Sequence, residues 1–162
     1  MNIYINKNPN NMNSNSFKQV GVWIDHSKAH FVGFNDGNTV LIETLESPFE
    51  SMKREVGEGS DKTRFSSSNE HSSNNEHKKH NISQKELNEY FKMMETKLHS
   101  FDDILLFGPG VAKEQMRNRL RENKSFDGKW LSVQTSDKLT EKQLLAFVRD
   151  FYVNSNPDFK SV

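Results

Sequence analysis

Hydrophobic and polar positions alternate with a period of two along the chain from residue 19 onward. Val20, Val22 and Ile24 form the clearest alternation, and it predicts a first strand that begins at Gln19. Apolar residues at 29–34 and at 39–45 predict two more strands. The short segment between them carries Asp-Gly at its centre, which predicts a tight turn that joins the two strands. Three strands joined by short turns predict an antiparallel meander.

The second half of the chain changes to a helical period. Ser83 and Glu86 have the spacing of a capping box and precede apolar residues spaced along one helix face, and Thr140 with Gln143 repeats that signature later. The predicted elements are, in order, a helix from Ser83, a strand at 103–107, a helix at 111–122, a strand at 129–134 and a helix opened by Thr140.

This order of elements predicts the fold class. Strands that are joined through a helix need right-handed crossovers, so the later strands are expected to be parallel. The prediction is an α/β fold of the ribonuclease-H-like type. Its mixed five-stranded sheet has three antiparallel strands followed by two parallel ones, with helices packed on the faces.

Polar segments frame and interrupt the predicted domain. Only 33% of the chain is hydrophobic, but the Asn, Ser, His and charged residues concentrate in a few stretches. We expect residues 1–18 to be a disordered leader, residues 46–82 to be a long flexible loop inserted in a single domain at 19–153, and residues 154–162 to be a tail.

Charge and composition exclude several classes of function. The 22 basic and 22 acidic residues cancel, so any electrostatic recognition must be local. The absence of cysteine excludes a disulfide scaffold, a thiolate metal site and a cysteine nucleophile. No apolar run reaches the length of a signal peptide or membrane span, so we expect a cytoplasmic protein with no membrane partner. No pattern indicates a small-molecule cofactor.

The predicted second helix and its exit are basic. Two acidic residues, Glu114 and Glu122, oppose five cations, which leaves a net charge of +3 in a neutral protein. Such a face either is simply solvated or contacts the phosphate backbone of rRNA or tRNA. The candidate RNA contacts are Lys113, Arg117, Arg119, Arg121 and Lys124. The long loop adds candidate contacts at Lys53, Arg54, Arg64, Lys78 and Lys79.

Gly108 and Gly110 flank a proline where the fourth strand meets the second helix. The motif lacks the Lys-Ser/Thr end of a Walker loop and the third glycine of a dinucleotide fingerprint. A structural turn is the simpler interpretation, in which Gly108 permits the turn and Gly110 lets the chain enter the helix closely. The alternative is that the helix N-terminus holds an RNA phosphate, with both glycines at the contact.

Asp25 raises an enzymatic alternative. It lies at the end of the first strand, where a ribonuclease-H-like nuclease places a metal-binding carboxylate, and Glu86 or Glu89 could supply a second one. The fourth strand ends in Phe-Gly-Pro-Gly and supplies no further acid. The structural alternative is that Asp25 caps backbone N–H groups of a turn. Three histidines in the polar loop lack a rigid frame, and no metal site is predicted from them.

Two segments resemble a known family. Residues 20–29, Val-Gly-Val-Trp-Ile-Asp-His-Ser-Lys-Ala, and residues 103–113, Asp-Ile-Leu-Leu-Phe-Gly-Pro-Gly-Val-Ala-Lys, are similar to the middle domain of the archaeal-eukaryotic peptide-chain release factor and Pelota superfamily, including its bacterial relatives. Residues 130–151 fit the final strand and helix of that domain. The resemblance implies the ribosome or another translation component as partner.

The chain also departs from that family. Release factors carry Gly-Gly-Gln, which promotes hydrolysis of the peptidyl ester, on the loop before the first long helix, and this sequence has no Gly-Gly-Gln. The hypothesis is therefore a non-catalytic, translation-associated, RNA-binding protein that resembles a lone middle domain. The alternatives are a metal-dependent nuclease and an adaptor that binds a protein partner without RNA contact.

Overall fold

A computed structural model of the protein describes residues 17–48 and 73–155, with the backbone alone for residues 73–83. Within these residues the elements are β1 (Gln19–Ile24), β2 (Lys28–Asn35), β3 (Asn38–Glu46), α1 (Ser73–Leu98), β4 (Asp103–Gly108), α2 (Ala112–Glu122), a short 3₁₀ helix (Lys124–Phe126), β5 (Trp130–Thr135) and α3 (Glu141–Ser155). No described helix is long and apolar enough to span a membrane.

The strands form one sheet in the order β3-β2-β1-β4-β5. The pairs β1–β2 and β2–β3 are antiparallel, whereas β1–β4 and β4–β5 are parallel. The predicted ribonuclease-H-like fold class is confirmed. Each predicted strand agrees with the observed one to within about one residue at either end, because the alternation and the turns fix both limits.

The core has two halves, one on each face of the sheet. Val22 and Ile24 face the side covered by α1 and α2, where Tyr90 and Met94 are buried. Trp23 faces α3 on the other side. β1 lies at the centre of the sheet, so residues on both of its faces are buried.

Helix α3 packs against β1 at a glycine. A Cβ placed on Gly21 would overlap the side chain of Val148. The Tyr152 hydroxyl donates to the Val20 carbonyl oxygen at 2.9 Å and fixes the same helix along the strand. The capping box predicted for this helix is confirmed: the Thr140 N–H donates to Gln143 Oε1 at 2.9 Å, and the Gln143 N–H donates to Thr140 Oγ1 at 3.3 Å.

The domain begins before the predicted limit at residue 19. Phe17, which the sequence places in the leader, is 3% exposed and belongs to the core on the α1 side. Its ring occupies the space over Gly33, where a Cβ would be too close. The Lys18 carbonyl oxygen accepts the N–H groups of Asp102 and Asp103 at 2.9 and 3.2 Å. The sequence does not indicate that Phe17 is buried, because a single aromatic residue in a polar segment creates no hydrophobic periodicity.

Helix α1 begins at Ser73, ahead of the predicted start at Ser83. The prediction of a loop over 46–82 is therefore wrong for residues 73–82, while residues 49–72 lie outside the described part of the chain. The early turns carry no apolar stripe, so the pattern could not indicate them. A helix that is already nucleated extends with one hydrogen bond per added residue, and this continuation does not require an apolar face.

Candidate nucleic-acid interface

The turn before α2 is shaped by Gly108. Its φ of +152° is disfavoured for other residues, and a Cβ there would overlap the Ile24 carbonyl oxygen. Gly108 is thus required where β4 passes close to β1. Gly110 is different, because it is exposed and a Cβ there would meet no atom within 4 Å. The expectation that Gly110 permits a close entry into the helix is wrong.

Lys113 does not lie on the surface of α2. It is 4% exposed, and its Nζ donates to the Gly110 carbonyl oxygen. The ammonium group therefore holds the turn in place and is withdrawn from solvent. The predicted RNA contact of Lys113 stays a prediction, and a phosphate could reach the ammonium group only after its hydrogen bond to Gly110 opened.

Arg119 is neutralised inside a groove between α1 and α2. Its Nε donates to Glu95 Oε2 at 2.8 Å, and Asn123 donates its side-chain N–H to Glu95 Oε1. Burial raises the pKa of Glu95, but the hydrogen bonds from Arg119 and Asn123 and the Arg119 charge outweigh it and lower that pKa overall. This groove has a volume of about 480 Å³ and is also lined by Lys92 and His99.

The three other cations remain at the surface. Arg117, Arg121 and Lys124 are here called the cationic ridge. Arg117 and Arg121 are four residues apart and lie on one side of α2, and Lys124 begins the 3₁₀ turn that follows the helix. Arg121 and Lys124 are exposed, and their side chains make no hydrogen bond or ion pair with any residue that the structure describes. The Arg117 guanidinium is half-buried and donates to Asn118 Oδ1 at 3.4 Å.

The acidic residues of α2 form no ion pair with the ridge in the described chain. Both of them, Glu114 and Glu122, are exposed. The ridge therefore presents positive charge to solvent in a protein whose formal net charge is zero. Phosphate groups are the ligands that such a surface attracts without any need to read a base sequence.

Trp130 was missed as a candidate contact. It starts β5, is 75% exposed, and lines a cleft with Arg121. The sequence held a signal for it, because the alternation that turns Leu131 and Val133 toward the core turns Trp130 to the opposite face of an edge strand.

The Asp25 carboxylate is engaged in a turn. Its Oδ1 accepts the N–H groups of Ser27 and Lys28, each at 2.8 Å, which confirms the capping role expected as the structural alternative. The Tyr90 hydroxyl donates to the Asp25 carbonyl oxygen at 3.2 Å, and burial together with the Asp25 charge raises the pKa of that hydroxyl.

The structure does not assemble the nuclease alternative. Glu89 is exposed, and Glu86 has one buried carboxylate oxygen, Oε2, that has no hydrogen-bond partner among the described residues. Within residues 17–48 and 84–155, no three His, Asp or Glu side chains are grouped so that they could hold a metal ion. His26 Nε2 lies 2.8 Å from Gln115 Oε1 and so serves to link the turn to α2.

The predicted loop contacts are not placed by the structure. Lys53, Arg54 and Arg64 lie outside the described residues. Lys78 and Lys79 belong to α1, but the structure describes only their backbone. All five stay predictions.

Comparison with known proteins returns solved structures only. No family model and no curated protein matches the chain. An archaeal translation termination factor, aRF1, aligns at 15% identity and a TM-score of 0.47, over 87% of this chain and 39% of that one. The Pelota protein of Thermoplasma acidophilum aligns at 12% identity and 0.47, over 88% and 34%.

Dom34 of S. cerevisiae is described as a translation termination-like factor that is involved in RNA quality control pathways and interacts with Hbs1. It aligns at 12% identity and a TM-score of 0.45, over 91% of this chain and 35% of that one. The chain thus spans well under half the length of each of these proteins. Similarity at this level assigns no activity, substrate or partner to the chain.

Proposed function

We propose that the protein is a translation-associated, RNA-binding domain of the release-factor and Pelota type that carries no peptide-release chemistry. The observation that carries the proposal is the cationic ridge, whose Arg121 and Lys124 are exposed and have no partner in the described part of the chain. Groups of this kind contact RNA phosphates without an internal ion pair having to break first.

The salt dependence expected of this surface can be stated. Each phosphate that a cation neutralises releases counterions, so log K falls with log salt by about 0.7 to 0.9 per contact. Three ridge residues therefore predict a slope of about −2 to −3. Lys113 and Arg119 are not counted, because the first is buried and the second is paired with Glu95.

The two segments that resemble the release-factor family support the translation context. They form β1 and β4, which pair in parallel, and the two turns that follow them meet where Gly108 approaches Ile24. The resemblance is therefore concentrated on two neighbouring central strands and on the turns at their carboxyl ends. Since Gly-Gly-Gln is absent from the whole sequence, release by that motif is not part of the proposal.

Ribosome co-sedimentation at low and moderate salt tests the proposal. The ridge variant Arg117→Glu, Arg121→Glu, Lys124→Glu is compared with a control that makes the same charge change on another surface, Lys138→Glu, Lys142→Glu, Arg149→Glu. We expect the wild type and the control to comigrate with ribosomes in a salt-sensitive manner. The ridge variant is expected to bind ribosomes at least about tenfold more weakly. It loses contacts with RNA phosphates, and with each contact it loses the favourable release of counterions.

Two results would contradict the proposal. The first is equal comigration of the ridge variant and the wild type, which the adaptor alternative predicts. The second is equal loss in the ridge variant and the control, because the total charge and not the ridge would then determine binding. Circular dichroism of both variants establishes that each one is folded.

A further inference from the structure

The most exposed large apolar side chain in the described chain is an indole. Trp130 is 75% exposed, whereas the other tryptophan, Trp23, is 2% exposed. Tryptophan carries a large apolar surface and is usually buried for most of its area. The residues that the structure describes leave most of this indole open to solvent, so its ring is available for a contact with a ligand.

The backbone beneath Trp130 is firmly positioned. Its N–H donates to the Asp102 carbonyl oxygen at 2.9 Å, and the residue pairs with Asp103 of β4 in the parallel ladder. Gly128, with a φ of +82°, forms the turn that leads into the strand. The next residue, Leu131, packs into the core. The ring is thus carried by a strand whose backbone is already fixed. A ligand that binds there would therefore cause little loss of backbone conformational entropy.

The α3 side of the sheet leaves this ring uncovered. Helix α3 lies on the face of the sheet that Trp130 shares, but it packs over β1, β2 and β3, toward the opposite end of the strand order from β5. Trp130 shares its strand face with Ser132 and Gln134, which are polar. The apolar area is thus one ring in a polar setting and is too small for the apolar core of a protein interface.

A cation lies at the same cleft. Arg121 and Trp130 both line a cleft of about 320 Å³ between the end of α2 and the start of β5. The other charged residues there are Asp127 and Lys129. The Lys129 ammonium is already held by the carbonyl oxygens of His99 and Phe101 at 2.9 and 2.6 Å, so Arg121 is the available cation.

We infer that Trp130 and Arg121 form a stacking site for one unpaired nucleotide of single-stranded RNA. The base would stack on the indole, and the adjacent phosphate would contact the guanidinium. A base in a duplex is already stacked on both faces, so the site selects single strands. This inference rests on the proposed RNA-binding function and names the form of RNA that is bound.

Tryptophan fluorescence gives a direct test, because the chain has only two tryptophans and one of them is buried. The intact protein is titrated with an eight-nucleotide uridine oligomer and, separately, with that oligomer annealed to its complement. Variants Trp130→Ala, Trp130→Phe and Arg121→Gln are compared with Lys142→Gln, an exposed control on α3. Fluorescence anisotropy of end-labelled RNA measures the affinity of the variants that lack Trp130.

We expect single-stranded RNA to quench the wild-type emission and to leave the emission of Trp130→Phe, which comes from Trp23, unchanged. Trp130→Ala should bind about 5- to 100-fold more weakly, and Trp130→Phe should stay within about threefold of the wild type because its ring still stacks. Arg121→Gln should reduce the salt slope by about 0.7, and Lys142→Gln should match the wild type.

The inference is wrong if Trp130→Ala binds the single strand as tightly as the wild type, if duplex RNA binds equally well through Trp130, or if the wild type binds no single strand. A loss of ribosome association in Trp130→Ala with unchanged RNA affinity would assign the ring to a protein contact and overturn it as well. The double variant Arg117→Glu, Lys124→Glu tests the proposed function separately, since neither residue belongs to the stacking site.

Discussion

Helix α2 packs on the sheet along its whole length through Ala112, Met116 and Leu120, but its two ends use their basic residues differently. At the first end, Lys113 is buried and bonded to Gly110, and Gly108 fits closely against β1. At the second end, the side chains of Arg121 and Lys124 face solvent with no partner among the described residues, and Trp130 lines a cleft with Arg121.

The comparison shows that charge counted along a helix is not charge available to a ligand. Five cations on and after α2 suggest one continuous basic face, but tertiary contacts withdraw Lys113 into the turn and pair Arg119 with Glu95. The first end therefore contributes to the stability of the fold, whereas the second end is free to contribute to binding. Substitutions at the two ends should affect different measurements.

The largest effect is expected at Gly108. Gly108→Ala should destabilise the protein by roughly 2–6 kcal/mol, because a strained φ and an overlap with the Ile24 carbonyl oxygen each cost about 1–3 kcal/mol. Gly110→Ala is the matched control and should change the free energy of unfolding by at most about 1 kcal/mol. Urea unfolding of both variants measures the difference. Equal losses in the two variants would show that the turn is not held by the close approach at Gly108.

A smaller effect is expected at the buried lysine. Lys113→Ala should reduce the free energy of unfolding by roughly 1–3 kcal/mol, since it removes a charged hydrogen bond and the packing of the methylene stem. Lys124→Ala, at the exposed end, should remain within about 0.5 kcal/mol of the wild type. Thermal or urea melts provide the comparison. A larger loss in Lys124→Ala than in Lys113→Ala would reverse the roles given to the two ends.

The smallest effect concerns Glu95 and depends on pH. Glu95→Gln should cost about 1 kcal/mol at pH 7, where the charged hydrogen bonds to Arg119 and Asn123 are intact. The pKa of Glu95 is lowered in the folded state, so its stabilisation is fully present above the ordinary value of 4.5 and is lost as the pH falls through the lower, folded value. Unfolding midpoints of the two proteins should therefore converge as the pH is lowered from 7 to well below 4.5. A gap that stays constant over this range would exclude an ionised Glu95 as its source.

The strands and the order of the sheet could be predicted because their signals are local. Alternation over residues 20–24 and the Asp-Gly turn fix the meander, and the crossover rule makes β4 and β5 parallel. The start of α1 at Ser73 could not be predicted, since its first turns have no apolar period. The burial of Phe17 depends on the space over Gly33 of another strand, which is a tertiary property.

The candidate site could be predicted only in part. Helical spacing identified α2 as basic, and the spacing of Arg117 and Arg121 already separates them from Arg119. The pairing of Arg119 with Glu95 joins residues 24 apart, and no local pattern indicates it. The exposure of Trp130 followed from the strand alternation together with the edge position of β5, and the edge position became known only with the sheet order.

The parallel pairing of β1 with β4 has a consequence for folding during synthesis. The two strands meet across 84 residues of sequence, whereas β1, β2 and β3 pair with their immediate neighbours. The meander can therefore form while β4 is still unsynthesised, and a non-local partner of this kind joins slowly. Until β4 arrives, the second edge of β1 stays unpaired, and an unpaired edge is a template for aggregation. The interval between the synthesis of residue 24 and that of residue 108 is thus the period in which the nascent chain most needs protection.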